Sequence, residues 1–300
     1  MVDWDRHNQT RRLAKRDVQV RFGICLDVSK IRNLVELKRA NRMLTASLHS
    51  GGQASRLVAF PFWLRWLKSL ARTTTLVLLP GLDGTEIFFR PLLAALPTWV
   101  KPVLVTYPIS GANDYSGLLA VVQAAVEDSK EFYVLGWSFS GPLAVMLTVK
   151  DPTRVRGVIL CASFVRPPHP VLSWLPVAVI SPVVHLVRWA RRTPMFLFND
   201  MFRRDKAATW ARVPTRVLVA RARAILALDA RDCLRECSRP VLYVAGSRDR
   251  IVPSWNAEEV VRELPSTKVV TIDGPHLALY TNPAAAVHAI VGFIRDGISA

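Results

Sequence analysis

The stretch "GWSFSG", residues 136–141, decides how this chain is read. It follows the apolar run Phe132–Leu135, which has the composition of a buried strand. It leads into "GPLAVMLTVK" (141–150), a helical segment whose first turn accommodates Pro142, because a missing N–H costs little there. A serine on so sharp a strand-to-helix turn needs small flanking residues. Gly136 meets that need two places before Ser138, and Ser140 stands two places after it, where glycine is usual. A hydroxymethyl is the next-smallest tolerable group, so Ser138 reads as the apex of a working nucleophile elbow. Taking Ser140 as the nucleophile would put Pro142 at the crowded position, a poorer register.

A neutral hydroxyl is a weak nucleophile at pH 7 and needs a base, which in turn needs an orienting acid. Downstream, "PVLYVAGSRDRIVP" ends a strand with Asp249 just past it, and "TKVVTIDGPHLALYTNP" ends another with His276 in the following loop. Both fall on the strand edge that carries Ser138, in the order serine, acid, histidine. Asp232 and Asp273 are poorer acids, one lying in an inserted segment and the other too close to His276. His7, His49, His169, His185 and His288 lie in the N-terminal region, the insertion or a helix. An oxyanion also needs backbone donors. The Phe139 N–H follows the nucleophile, and "VLLPGLDGTEIFF" supplies a second at Leu82, with Gly81 allowing the tight turn. Asp83 is assigned to that turn, since no cluster of ligands accompanies it.

Outward from these motifs, strands are expected at Thr75–Leu79, Pro102–Thr106, Phe132–Leu135, Val158–Cys161, Val241–Ala245 and Val269–Ile272. Helical periodicity marks 115–128 and 283–296 between them. Near-continuous apolar strands alternating with helices imply a mostly parallel sheet with both faces covered. No internal repeat is visible. Residues 166–239 break the rhythm and are expected to form a helical cap inserted over the carboxyl edge of the sheet. Their apolar stretch 167–187 is about long enough to span a bilayer, but its five prolines favour cap helices lining a pocket.

The 300 residues carry a formal net charge of +17. Residues 1–42 contribute +6, 43–73 contribute +4 and 166–239 contribute +9, while the rest is nearly neutral. That distribution argues against a nucleic-acid-coating protein and for local basic surfaces. Arg188, Arg191 and Arg192 follow the apolar stretch of the insertion and, with Trp137 beside the serine, are candidate contacts for substrate, an acidic partner or an anionic membrane surface. Residues 1–73 form a basic N-terminal extension of uncertain structure, ahead of a catalytic domain at 74–300. Within the extension, 18–28 alternates like a half-buried strand. Residues 61–72 place Arg65, Lys68 and Arg72 opposite Phe62, Trp63, Trp66, Leu67 and Leu70, which suits either a membrane-surface helix or one packed on the protein body. Met43 offers an alternative start that would exclude residues 1–42. The four cysteines, Cys25, Cys161, Cys233 and Cys237, are too sparse for a disulfide framework and lack the partners of a metal site. With no secretory signal, they suit a cytoplasmic or membrane-peripheral location.

From about residue 74 to 298 the chain resembles an α/β-hydrolase fold protein. "PGLDGT", "GWSFSG", "GSRDRIVP" and "GPHLALYTNP" stand where that family has its oxyanion loop, elbow, acid loop and histidine loop. The tryptophan-containing elbow is also similar to that of the pimeloyl-carrier methyl ester esterases, which have a helical cap. The family's usual opening strands are not recognisable upstream of residue 74. The resemblance implies a Ser–His–Asp hydrolase, and the chain is read as one acting on carboxylic esters or thioesters with an apolar acyl part, needing no cofactor. An acyltransferase using the same acyl-enzyme, and a non-catalytic binding protein on the same fold, remain alternatives, because fold alone does not choose the reaction.

Overall fold

A computed structural model describes residues 73–169, 177–190 and 200–299 of the chain. Expectations for the N-terminal extension, and for Arg191 and Arg192, lie outside them. Within them, six parallel strands form one sheet in the order β2-β1-β3-β4-β5-β6. The strands are β1 (Thr74–Leu79), β2 (Val100–Leu104), β3 (Phe132–Trp137), β4 (Val155–Cys161), β5 (Val241–Gly246) and β6 (Lys268–Ile272). The helices are α1 (Arg90–Ala95), α2 (Tyr115–Ala125), α3 (Gly141–Lys150), α4 (Val177–Ala190), α5 (Asp200–Arg212), α6 (Thr215–Leu226), α7 (Arg231–Arg235), α8 (Trp255–Glu263), α9 (Ala278–Thr281) and α10 (Pro283–Ser299).

The unbroken apolar runs of the strands follow from burial on both faces. Successive side chains alternate across the sheet, so Val77, Leu79 and Val134 pack with Leu118 and Val122 of α2 and Leu143 and Leu147 of α3. Leu76, Leu78 and Leu135 face the other way, against Leu92 of α1 and Ile290 and Ile294 of α10. Strand β2 begins two residues before its expected start and takes in Pro102. Among the described residues it pairs only with β1, and an edge position tolerates proline's missing donor. Helix α2 ends at Ala125, and its start is held by the Asp114 side chain accepting from the Gly117 N–H at 2.8 Å.

Between β4 and β5 run α4 to α7. Helix α4 is 14 residues long with Pro182 inside it, and among the described residues no helix is long and apolar enough to cross a membrane. Two buried polar residues, Asp205 and Arg221, help tie this segment to the sheet body. Asp205 of α5, almost fully buried, accepts from Arg90 Nη1 at 2.5 Å and from the Tyr280 hydroxyl at 3.0 Å. Arg221 of α6 is fully buried against the loop after β1.

Candidate active site

Every predicted loop leaves the carboxyl end of a strand, the edge on which open parallel sheets build their sites. Strand β3 delivers Ser138, β5 leads to Asp249, β6 to His276, and β1 to Pro80–Leu82. Ser138 has φ +52°, a left-handed conformation that a non-glycine residue enters only at a strained turn. Gly136 is required by that bend, since a Cβ there would run into the Ser140 carbonyl and the Gly141 backbone. Below the turn, the Ser163 hydroxyl donates to the Ser138 carbonyl at 2.6 Å, and Ser163 is itself held through its N–H and C=O by the Tyr243 hydroxyl.

His276 bridges the other two residues. Its Nε2 lies 2.9 Å from Ser138 Oγ and its Nδ1 lies 2.8 Å from Asp249 Oδ2. The remaining carboxylate oxygen, Oδ1, accepts from the Ile251 and Val252 N–H groups at 2.8 Å each. Asp249 is thereby fixed as an acceptor with its side chain only 3% exposed. Its negative charge helps raise the pKa of buried Cys161, after the larger effect of burial itself. Asp273 instead pairs on the surface with Arg248 and Ser247, and Asp232 with Arg235, so neither competes for the histidine. His169 is turned toward the Ile251 carbonyl and packs edge-on against Trp255.

Asp83 serves its turn: its Oδ2 accepts from Thr85 N–H at 2.9 Å and Thr85 Oγ1 at 2.5 Å. Trp137 is buried beside the serine, in edge contact with Phe88, and Phe88 also meets Phe202 of α5 and Tyr280 of α9. The Trp137 indole N–H has no acceptor among the described residues. Arg188 lies on α4.

Sequence reasoning gave Ser140 only a size and gave Arg221 no role of its own. Ser140 is fully buried and donates to the Pro80 carbonyl while lying 2.5 Å from the Tyr107 hydroxyl. Arg221 donates to the Leu82 carbonyl at 2.9 Å. Each reaches the loop after β1, and only contacts distant in sequence reveal it.

The sequence model of the Alpha/beta hydrolase family matches residues 51–290. The chain is an alpha/beta hydrolase. Among this hydrolase's relatives is the pimeloyl-(acyl-carrier protein) methyl ester esterase of Xanthomonas campestris pv. campestris, 31% identical over 244 residues, covering 72% of this chain and 94% of the relative. The corresponding esterase of Neisseria meningitidis serogroup B is 26% identical over 247 residues, covering 74% and 93%. In structure the hydrolase is similar to the enol-lactonase from Burkholderia xenovorans LB400, with TM-score 0.63 and 19% identity over 75% of this chain and 92% of that one. That last likeness concerns the fold alone.

Proposed function

We propose that this alpha/beta hydrolase is a serine hydrolase of carboxylic esters or thioesters with an apolar acyl part. The observation that carries the proposal is the continuous hydrogen-bonded line Ser138–His276–Asp249, with separations of 2.9 and 2.8 Å. In that line His276 Nε2 takes the Ser138 proton as Oγ attacks the acyl carbonyl. Asp249, fixed by two backbone amides, keeps the Nδ1 proton on the ring and stabilises the imidazolium that forms. The Leu82 and Phe139 N–H groups receive the developing oxyanion. Collapse of the tetrahedral intermediate expels the alcohol or thiol, which takes its proton from His276. Water, deprotonated by the same histidine, then releases the acid from the acyl-enzyme.

Trp137, which precedes Ser138, packs against Phe88, and Phe88 in turn meets Phe202 and Tyr280, an aromatic cluster that supports an apolar acyl chain. Residues 166–239 act as a cap, with α5 and α6 held to the body through Asp205 and Arg221. The esterases named above act on an acyl-carrier-bound ester. By that analogy, and from the +9 charge of this segment, the substrate is an acyl group presented by an acidic carrier, with Arg188, Arg191 and Arg192 as contacts. An anionic membrane surface would present the same sign of charge. The free thiols Cys161, Cys233 and Cys237 suit a cytoplasmic setting. Assay of Ser138→Ala against a p-nitrophenyl ester tests the proposal: near-total loss of turnover with the fold retained supports it, and unchanged activity refutes it.

A further inference from the structure

Arg221 is the largest side chain in the described residues that is completely buried. Arginines exposed on a basic segment need no special account, but a buried guanidinium must be hydrogen-bonded to offset its lost hydration. Its seat provides for that. Nη1 donates to the Leu82 carbonyl at 2.9 Å, Nη2 to the Pro108 carbonyl at 3.1 Å and Nε to Asn113 Oδ1 at 3.0 Å. The guanidinium carbon lies 5.4 Å from the Tyr107 ring centroid. Gly84, at φ +72°, leaves the space, since a Cβ there would collide with the guanidinium. Burial pulls the Arg221 pKa down to about 10, with Asp83 and Tyr107 opposing the fall, so the group remains a cation at neutral pH.

The consequence lies in the turn Gly81–Gly84. Three successive carbonyls are held: Pro80 by Ser140 Oγ, Gly81 by the Gly84 N–H at 2.9 Å and Leu82 by Arg221. The peptide groups on either side of Leu82 are therefore fixed, which sets the direction of its N–H. Ser140 sits in the elbow itself, whereas Arg221 reaches in from α6 of the inserted segment.

We propose that Arg221 is a positioning residue that holds the Leu82 N–H in the oxyanion site, so that transition-state stabilisation at Ser138 depends on α6 being docked. The proposal rests on the serine-hydrolase reading. A planar fork with donors on three nitrogens suits the seat, and a lysine ammonium cannot reach three separated acceptors in one plane. The effect falls on the transition state, because the donor is needed most where negative charge develops.

Arg221→Met, Arg221→Lys and Arg221→Ala would be compared with the unaltered protein by circular dichroism, thermal melting, and kinetics on p-nitrophenyl butyrate. We expect kcat to fall about 100-fold in the folded Met and Lys variants with KM little changed, since a small misplacement of a catalytic donor costs about that much. Affinity for a trifluoromethyl ketone, which places an oxyanion in the same site, should weaken in parallel. Added methylguanidinium should restore part of the kcat of Arg221→Ala. A purely structural role would lower stability without this parallel or this rescue. Unchanged kcat and ketone affinity in a folded variant would overturn the proposal. If the Arg221 variants do not fold, Asn113→Ala removes a single acceptor from the guanidinium. It should lower kcat and ketone affinity together, about tenfold, and unchanged values there would also overturn the proposal. Ser138→Ala run beside them separates the two claims. If it keeps activity, the hydrolase reading falls and the Arg221 role with it; if it is inactive while Arg221→Met keeps full kcat, only the Arg221 role falls.

Discussion

The Tyr107 hydroxyl lies 2.5 Å from Ser140 Oγ, and Ser140 in turn donates to the Pro80 carbonyl. Since Ser140 Oγ gives its proton to Pro80, the Tyr107 O–H is the donor of that pair. The chain of bonds ties the nucleophile turn to the loop carrying Leu82, and Tyr107, also stacked against Arg221, belongs to both ends of it. Ser140 is therefore a bonded strut as well as a small residue at a tight bend.

Ser140→Gly should for this reason lower activity, even though it restores the commoner elbow pattern. It leaves the Tyr107 hydroxyl and the Pro80 carbonyl without their partner, at about 1–3 kcal/mol of stability. We expect a melting temperature lower by several degrees and kcat down roughly tenfold, the latter an order-of-magnitude expectation for a displaced oxyanion donor. Tyr107→Phe, which spares the bond to Pro80, should show a smaller loss. Equal or higher kcat in Ser140→Gly would show the hydroxyl to be dispensable.

The fold and the line of three residues were legible because they rest on local signals. Val134, Leu135, Val158 and Val244 sit in unbroken apolar runs, and Asp249 and His276 follow two such runs directly. Arg221 was not legible, since it is one of 14 basic residues between 166 and 239 and nothing in the sequence sets it apart from the rest. Its contacts with Leu82, Pro108 and Asn113, 108 to 139 residues away, separate it from its neighbours. Ser140 was legible as a small residue of the elbow but not as a bonded one, its partners Tyr107 and Pro80 lying 33 and 60 residues off. Strand β2 was expected from Pro102 but begins at Val100, since an edge strand admits the proline inside it.

Asp249→Asn is expected to reduce kcat by about four orders of magnitude while leaving the fold intact. The amide oxygen can still accept from Ile251 and Val252, but its NH2 would then face His276 Nδ1 and favour the wrong tautomer. Stopped-flow or steady-state assays on an activated ester measure this. A loss smaller than tenfold would show that Asp249 does not orient the histidine.

Asp83 gives a pH signature. Burial pushes its carboxyl pKa up, and hydrogen bonds from Thr85 and the charge of Arg221 only partly offset this. A folded-state pKa above the unfolded value of about 4 contributes stability that is complete in acid and is lost as pH rises through the folded value. Asp83→Asn removes that loss while keeping an acceptor for Thr85. Its melting temperature should exceed that of the unaltered protein at pH 7–8, and the difference should vanish near pH 3. A variant that melts lower at pH 7 would show that attraction to Arg221 outweighs the burial cost.

The basic segment predicts a salt effect. The proposed steering of an acidic carrier would weaken as added salt shortens the Debye length to roughly 8 Å near physiological strength. Hydrolysis of a carrier-bound acyl ester should fall steeply from low to high salt, while a small neutral ester changes little. Arg191→Glu with Arg192→Glu should reproduce the loss on the carrier-bound substrate alone. Equal salt responses for both substrates would remove the steering role.

The most direct measurement is covalent. The purified protein treated with a fluorophosphonate and mapped by mass spectrometry should carry one adduct, on Ser138, with labelling and esterase activity lost together and both absent from Ser138→Ala. An adduct on another residue, or an unlabelled protein that still hydrolyses esters, would contradict the assignment of Ser138 as the nucleophile.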